Sequence, residues 1–146
     1  MISEDDLDTV RRGLINGFKT LWILSRILVP VYFLVTLIGK TPILAWISTL
    51  FRPLMFIFGL PGEAAIVLVL GNVLNLYAAI GAMVSIDFTV KQLTILAVML
   101  SFSHSMIVET AIFKRLKVSA WRVVTFRISL AVVSGIMLNL LWVEGV

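Results

Sequence analysis

Two short polar clusters interrupt an otherwise apolar chain, and they hold the residues with chemistry to offer. The first is Gly71, Asn72 and Asn75, inside the run LPGEAAIVLVLGNVLNLYAAIGAM. Gly loosens a helix and Asn offers its backbone alternative hydrogen bonds, so this cluster presents amides and a pliable chain. The second is SFSHSMIVET, which contains Ser101, Ser103, His104, Ser105 and Glu109. Ser101, Ser105 and Glu109 are spaced i, i+4, i+8 and share one face of a continuous helix, with His104 beside them. Hydroxyls, an imidazole and a carboxylate on one side of an apolar helix need water or protein opposite them. Groups of this kind bind a small polar solute or a coupling ion. Each also has a plainer reading. A lone histidine in an apolar helix often only packs, Glu109 could pair with Lys114 five residues on, and the two Asn could satisfy their own backbone. His104 and Glu109 are poorly spaced to face one metal ion, so no metal site is expected.

Enzymatic signatures are lacking. The sequence has no phosphate loop of the form GxxxxGK(S/T), since Gly39-Lys40-Thr41 has Leu34 at the place of the first glycine, no HExxH zinc helix and no GxSxG elbow, and an enzyme is not expected. With no cysteine, disulfides, thiolate metal sites and thiol catalysis are excluded. A chain of 146 residues that is 60% hydrophobic and only 14% charged lies far outside the soluble range. It reads as an integral protein of the inner (plasma) membrane with several passes and little room for a soluble domain. Glu4, Asp5, Asp6 and Asp8 are half of the 8 acids, so the rest of the chain sets 12 Lys and Arg against four acids. That excess reads as cation flanking membrane lipid, and nucleic-acid binding is not expected.

The elements that must position the two clusters follow from hydropathy. Ser3 with the acids after it reads as a helix start, and Leu7, Val10, Leu14, Phe18 and Leu21 recur at steps of three and four. Residues 1–19 are therefore expected to form an N-terminal amphipathic helix at the interface, ahead of a membrane domain over 20–146. A first span runs from Thr20 to Ile38, with Pro30 expected to kink it. Ile43 to Phe58 is interrupted by Arg52 and Pro53 and is expected to lie at the interface rather than to cross. The stretch 61–84 then reads as two short helices joined at the Gly-Asn cluster, a re-entrant hairpin. Ala64 to Ile86 carries no charge and is also long enough to cross as one helix. Irregular polar backbone at membrane depth survives only inside protein or beside water, which makes the hairpin tip a candidate site. After a loop with Asp87 as a possible cap come an apolar helix over 92–113, a basic stop at Lys114, Arg115 and Lys117, and a last span over 121–143. Ser134 and Gly135 give that span a small-residue packing face. The fold class expected is all-α and membrane-integral, with about three transmembrane helices and one re-entrant hairpin.

The segments LPGEAAIVLVLGNVLNLYAAIGAM and SHSMIVETAIFKRL resemble the nucleoside-recognition, or gate, domain family. That family includes the spore maturation A and B proteins and the gate segments of ferrous iron permeases, and it is similar to one half of a concentrative nucleoside transporter. The resemblance covers Pro42 to Leu141 and implies a repeat of span, re-entrant hairpin, unwound span and further span, which makes the helix over 92–113 an interrupted one. By that likeness Gly71, Asn72 and Asn75 would meet Ser101, Ser103, His104 and Ser105 at the midplane, with Glu109 contributing to the same polar cavity. The implied function is half of a transporter or permease for a small polar solute, nucleoside-like and ion-coupled. No cofactor is implied beyond a coupling Na+ or H+. The alternative is a non-transporting scaffold or assembly partner of the spore maturation type. The chain departs from the transporters in carrying one repeat, so a partner is implied: a second half-protein of opposite topology, or an antiparallel copy of itself.

Overall fold

The computed structural model describes residues 4–117 and 119–142, and every regular element among them is a helix. Helix α1 spans Glu4–Gly39, α2 Pro42–Phe56, α3 Ala64–Val73, α4 Leu76–Ser85, α5 Val90–Ser103, α6 Met106–Arg115 and α7 Ala120–Leu141. Three stretches are long and apolar enough to cross a membrane: Asp8–Gly39, Val90–Phe113 and Ala120–Leu141. The protein is an all-α, multi-pass membrane protein.

The amphipathic segment and the first span are one helix. At 1.5 Å per residue, the 36 residues of α1 reach about 54 Å, well beyond a hydrocarbon core of about 30 Å. The helix runs through Pro30, and residues 8–23 are exposed on every side. The cap expected at Ser3 lies outside the described residues. Helix α2 begins where its sequence dictates: the Thr41 hydroxyl accepts from the Ile43 N–H at 3.4 Å, and Pro42 takes the first turn, where its missing donor costs nothing. It passes through Arg52 and Pro53 but has only 15 residues, about 22 Å, too short to cross.

The chain then turns through Gly59, whose φ of 65° belongs to the left-handed region that Gly enters without strain. Asn139 of α7 closes on this turn, donating from Nδ2 to the Ile57 carbonyl at 3.2 Å. Helices α3 and α4 follow as a helical hairpin. Small residues line their packing faces: Ala64, Ala78, Ala79 and Ala82 are fully buried, Gly71 is buried against Ala79, and Gly81 is buried against Leu28 and Val31 of α1. Small side chains let backbones approach closely where lipid supplies no hydrophobic drive. Helix α1 packs on α4, α3 packs on α5, and α5 packs along α7, so the hairpin lies between α1 and the interrupted helix. Ile95, Leu96 and Leu100 of α5, with Val35 and Val67, fill the centre. Gly135 of α7 is buried against Met99 and Phe58, as its packing face required. Helix α5 starts at Thr89 rather than at Asp87, because Thr89 and Gln92 form a reciprocal capping box, with bonds of 3.3 and 2.9 Å.

Candidate functional site

Both polar clusters break their helices, and the two breaks meet. Helix α3 ends at Val73 and α4 begins at Leu76, so the run from Ala64 to Ile86 is a hairpin and not a single rod. The turn is built by its own residues. The N–H groups of Leu74 and Asn75 both bond the Leu70 carbonyl, at 3.0 and 3.3 Å. Asn75 is extended and caps α4, its Oδ1 accepting from the Ala78 N–H at 3.0 Å. Asn72 donates from Nδ2 to the Leu68 carbonyl at 2.7 Å.

A helix end leaves its last four carbonyls without partners in the helix. The Gly71 carbonyl is one of these, and its partner comes from the second cluster: the Ser105 N–H donates to it at 2.9 Å. Ser105 lies between α5 and α6 with φ at 57°, a left-handed conformation uncommon outside Gly and Asn. Its N–H is freed from α5 and directed at α3, while its carbonyl starts α6 by accepting from the Glu109 N–H at 3.1 Å. The approach demands Gly at 71, since a methyl there would come within 2.5 Å of Leu100 Cδ2. One backbone hydrogen bond therefore joins the hairpin to the interrupted helix.

The remaining polar groups sort around this junction. His104 closes α5, its N–H and its Nδ1 both on the Leu100 carbonyl, at 2.9 and 2.8 Å. A carbonyl only accepts, so Nδ1 carries a proton, and in the neutral ring Nε2 is then an acceptor. Ser103 is buried and bonds the Met99 carbonyl at 2.9 Å, whereas Ser101 is exposed and bonds the Val98 carbonyl at 2.7 Å. The common face expected for Ser101, Ser105 and Glu109 assumed an unbroken helix. The break leaves Ser105 and Glu109 together at the start of α6 and Ser101 on the other side of it.

Glu109 finds its partner on α7. It forms an ion pair with Arg127, and both side chains are largely buried, at 27% and 18% exposure. The same guanidinium donates from Nε to the Phe102 carbonyl at 2.6 Å and from Nη2 to the His104 carbonyl at 3.5 Å. Arg127 thus satisfies carbonyls that the end of α5 leaves free. Arg127 lies early in the last span, where nothing in its own spacing singles it out. The signal was available: a cation inside an apolar helix asks for a buried acid, and Glu109 is the one acid in the preceding span. Among the described residues no group of His, Asp or Glu is arranged to hold a metal ion.

A profile of the Gate family, described as nucleoside recognition, matches residues 21–119. The chain belongs to the Gate family. The match starts within α1, earlier than the resemblance at Pro42, and stops short of α7, so both breaks of this Gate chain lie inside it and Arg127 lies beyond it. A relative in Bacillus subtilis (strain 168), the uncharacterized membrane protein YvoD, is 47% identical over 133 residues. That alignment covers 91% of this Gate chain and 43% of the relative, so the chain spans less than half of the relative's length. No solved structure matches it.

Proposed function

We propose that this Gate chain is one half of a plasma-membrane transporter or permease for a small polar solute of the nucleoside class, and that it performs no catalytic step. The observation that carries the reading is the Ser105 N–H bond to the Gly71 carbonyl, because it brings two helix breaks to one point. Facing helix ends inside a membrane offer oriented N–H groups and carbonyls to a polar solute that lipid cannot solvate. Around that point His104 offers an acceptor at Nε2, and Asn72 and Asn75 supply amide groups from the tip. The family's description as nucleoside recognition supports the solute class.

The partner is a second half. The relative is more than twice the length of the aligned segment, which leaves room for a second unit of the same size on one polypeptide. The second unit, whether on this polypeptide or on another, is expected to have the opposite orientation.

Thermal unfolding of the purified protein in detergent, screened against nucleosides, amino acids and metal ions, tests the reading. A ligand that binds only the folded state raises the apparent midpoint in proportion to the logarithm of its concentration. A nucleoside is expected to do so, and Asn75→Leu or His104→Leu to remove the response while expression persists. A flat response to every class, with the protein still recovered in a complex, would favour an assembly role without transport.

A further inference from the structure

The end of α5 carries the negative pole of a helix dipole into the apolar part of the protein, and it must be met by positive charge. Three oxygen groups converge there: the Phe102 and His104 carbonyls and the Glu109 carboxylate. Two carbonyls and a carboxylate are the donors a hard cation takes, and the carbonyl end of a broken membrane helix is where a transporter holds a coupling ion. In this chain all three point at one guanidinium. Arginine does not lose its proton in proteins, so the charge is permanent, and it is tethered to α7.

We propose that Arg127 is the resident cation of the broken helix, standing where a sodium ion would otherwise sit, and that the junction therefore works without sodium. This rests on the reading of the junction as a solute site, but it concerns the cation alone and is tested without any solute. Two observations support it independently. The planar fork of Arg127 reaches two separate carbonyls as well as Glu109, which an arginine recruited only to neutralise one acid need not do. Arg127 also belongs to α7 and not to the broken helix, so the charge that meets the end of α5 is brought by a separate element.

The experiment compares unfolding of the full chain in sodium chloride with unfolding in choline chloride at equal ionic strength. The wild type is expected to unfold at the same temperature in both. Arg127→Ala is expected to unfold at a lower temperature and to recover, with rising concentration, when methylguanidinium is added or when sodium replaces choline. Adding Glu109→Gln to that variant should abolish the recovery, since one of the three oxygen groups loses its charge. Stabilisation of the wild type by sodium over choline overturns the proposal. So does an Arg127→Ala protein that ignores both cations, whether or not its stability falls, because Arg127 would then be only a structural tie. If Arg127→Ala does not fold, Arg127→Lys carries the test: it keeps a tethered charge and should remain indifferent to sodium, and a sodium response in it is equally fatal. A screen in which no nucleoside binds would leave these results as they stand, so the two readings fail separately.

Discussion

Asn75 has two roles that one substitution can separate. Its Oδ1 caps α4, and its amide is offered at the tip. Asn75→Ala removes both and is expected to cost about 1 kcal/mol of stability, the usual worth of an N-cap. Asn75→Ser restores a capping oxygen without the amide. We expect it to unfold near the wild-type temperature and to lose the stabilisation given by a nucleoside. A Ser variant that still responds to the solute would show that the amide is structural. Gly71→Ala probes the other side of the junction. Its methyl has Leu100 Cδ2 at 2.5 Å and Ala79 Cβ at 3.1 Å, so the buried Leu100 must turn aside or α3 must move off α5, at about 1–3 kcal/mol for the overpacking. The Ser105 bond should lengthen with it, weakening solute binding more than stability.

At the scale of elements, the hairpin was legible because its break is written in local chemistry. Gly71, Asn72 and Asn75 within five residues disfavour helix on their own, and the structure turns there. The break after Ser103 has no such spelling. SFSHSM contains neither Gly nor Pro, and spacing alone read it as one continuous face. It breaks because distant partners hold it open: the Gly71 carbonyl takes the Ser105 N–H, and Arg127, more than twenty residues on, takes the Phe102 and His104 carbonyls. Arg127 stayed hidden for the same reason. Likewise, Pro30 and Pro53 were read as local disruptions, yet α1 and α2 continue through them. The arms α3 and α4 have 10 residues each, about 15 Å, half of what a crossing requires. Cysteines placed at Glu63 and at Ile86 should accordingly react with an impermeant reagent from the same side of the membrane. Labelling from opposite sides would restore the straight helix.

For the whole molecule, orientation follows from counting cations on each side. With α2 too short to cross, Arg11, Arg12, Lys19, Lys114, Arg115, Lys117 and Arg122 fall on one face, against Lys40, Arg52 and Lys91 on the other. Such a bias predicts an N-terminus in the cytoplasm and a single orientation. A reporter fused at Val146 is expected to report from outside only, which requires a different second half. Signal from both sides would mean that α2 crosses and that the chain pairs with an inverted copy of itself. The half-length hairpin has a last consequence, which is about hydration. A re-entrant hairpin with arms of about 15 Å fills one leaflet and leaves the other without helix beneath its turn. Acyl chains cannot hydrogen-bond the Leu76 and Tyr77 N–H groups, which open α4 ahead of the capped Ala78 and have no partner within the helix. Until a complementary hairpin rises to meet them, water must. The amides of the tip should therefore exchange with deuterium quickly in the isolated chain despite their depth, and slow down once the second half is bound.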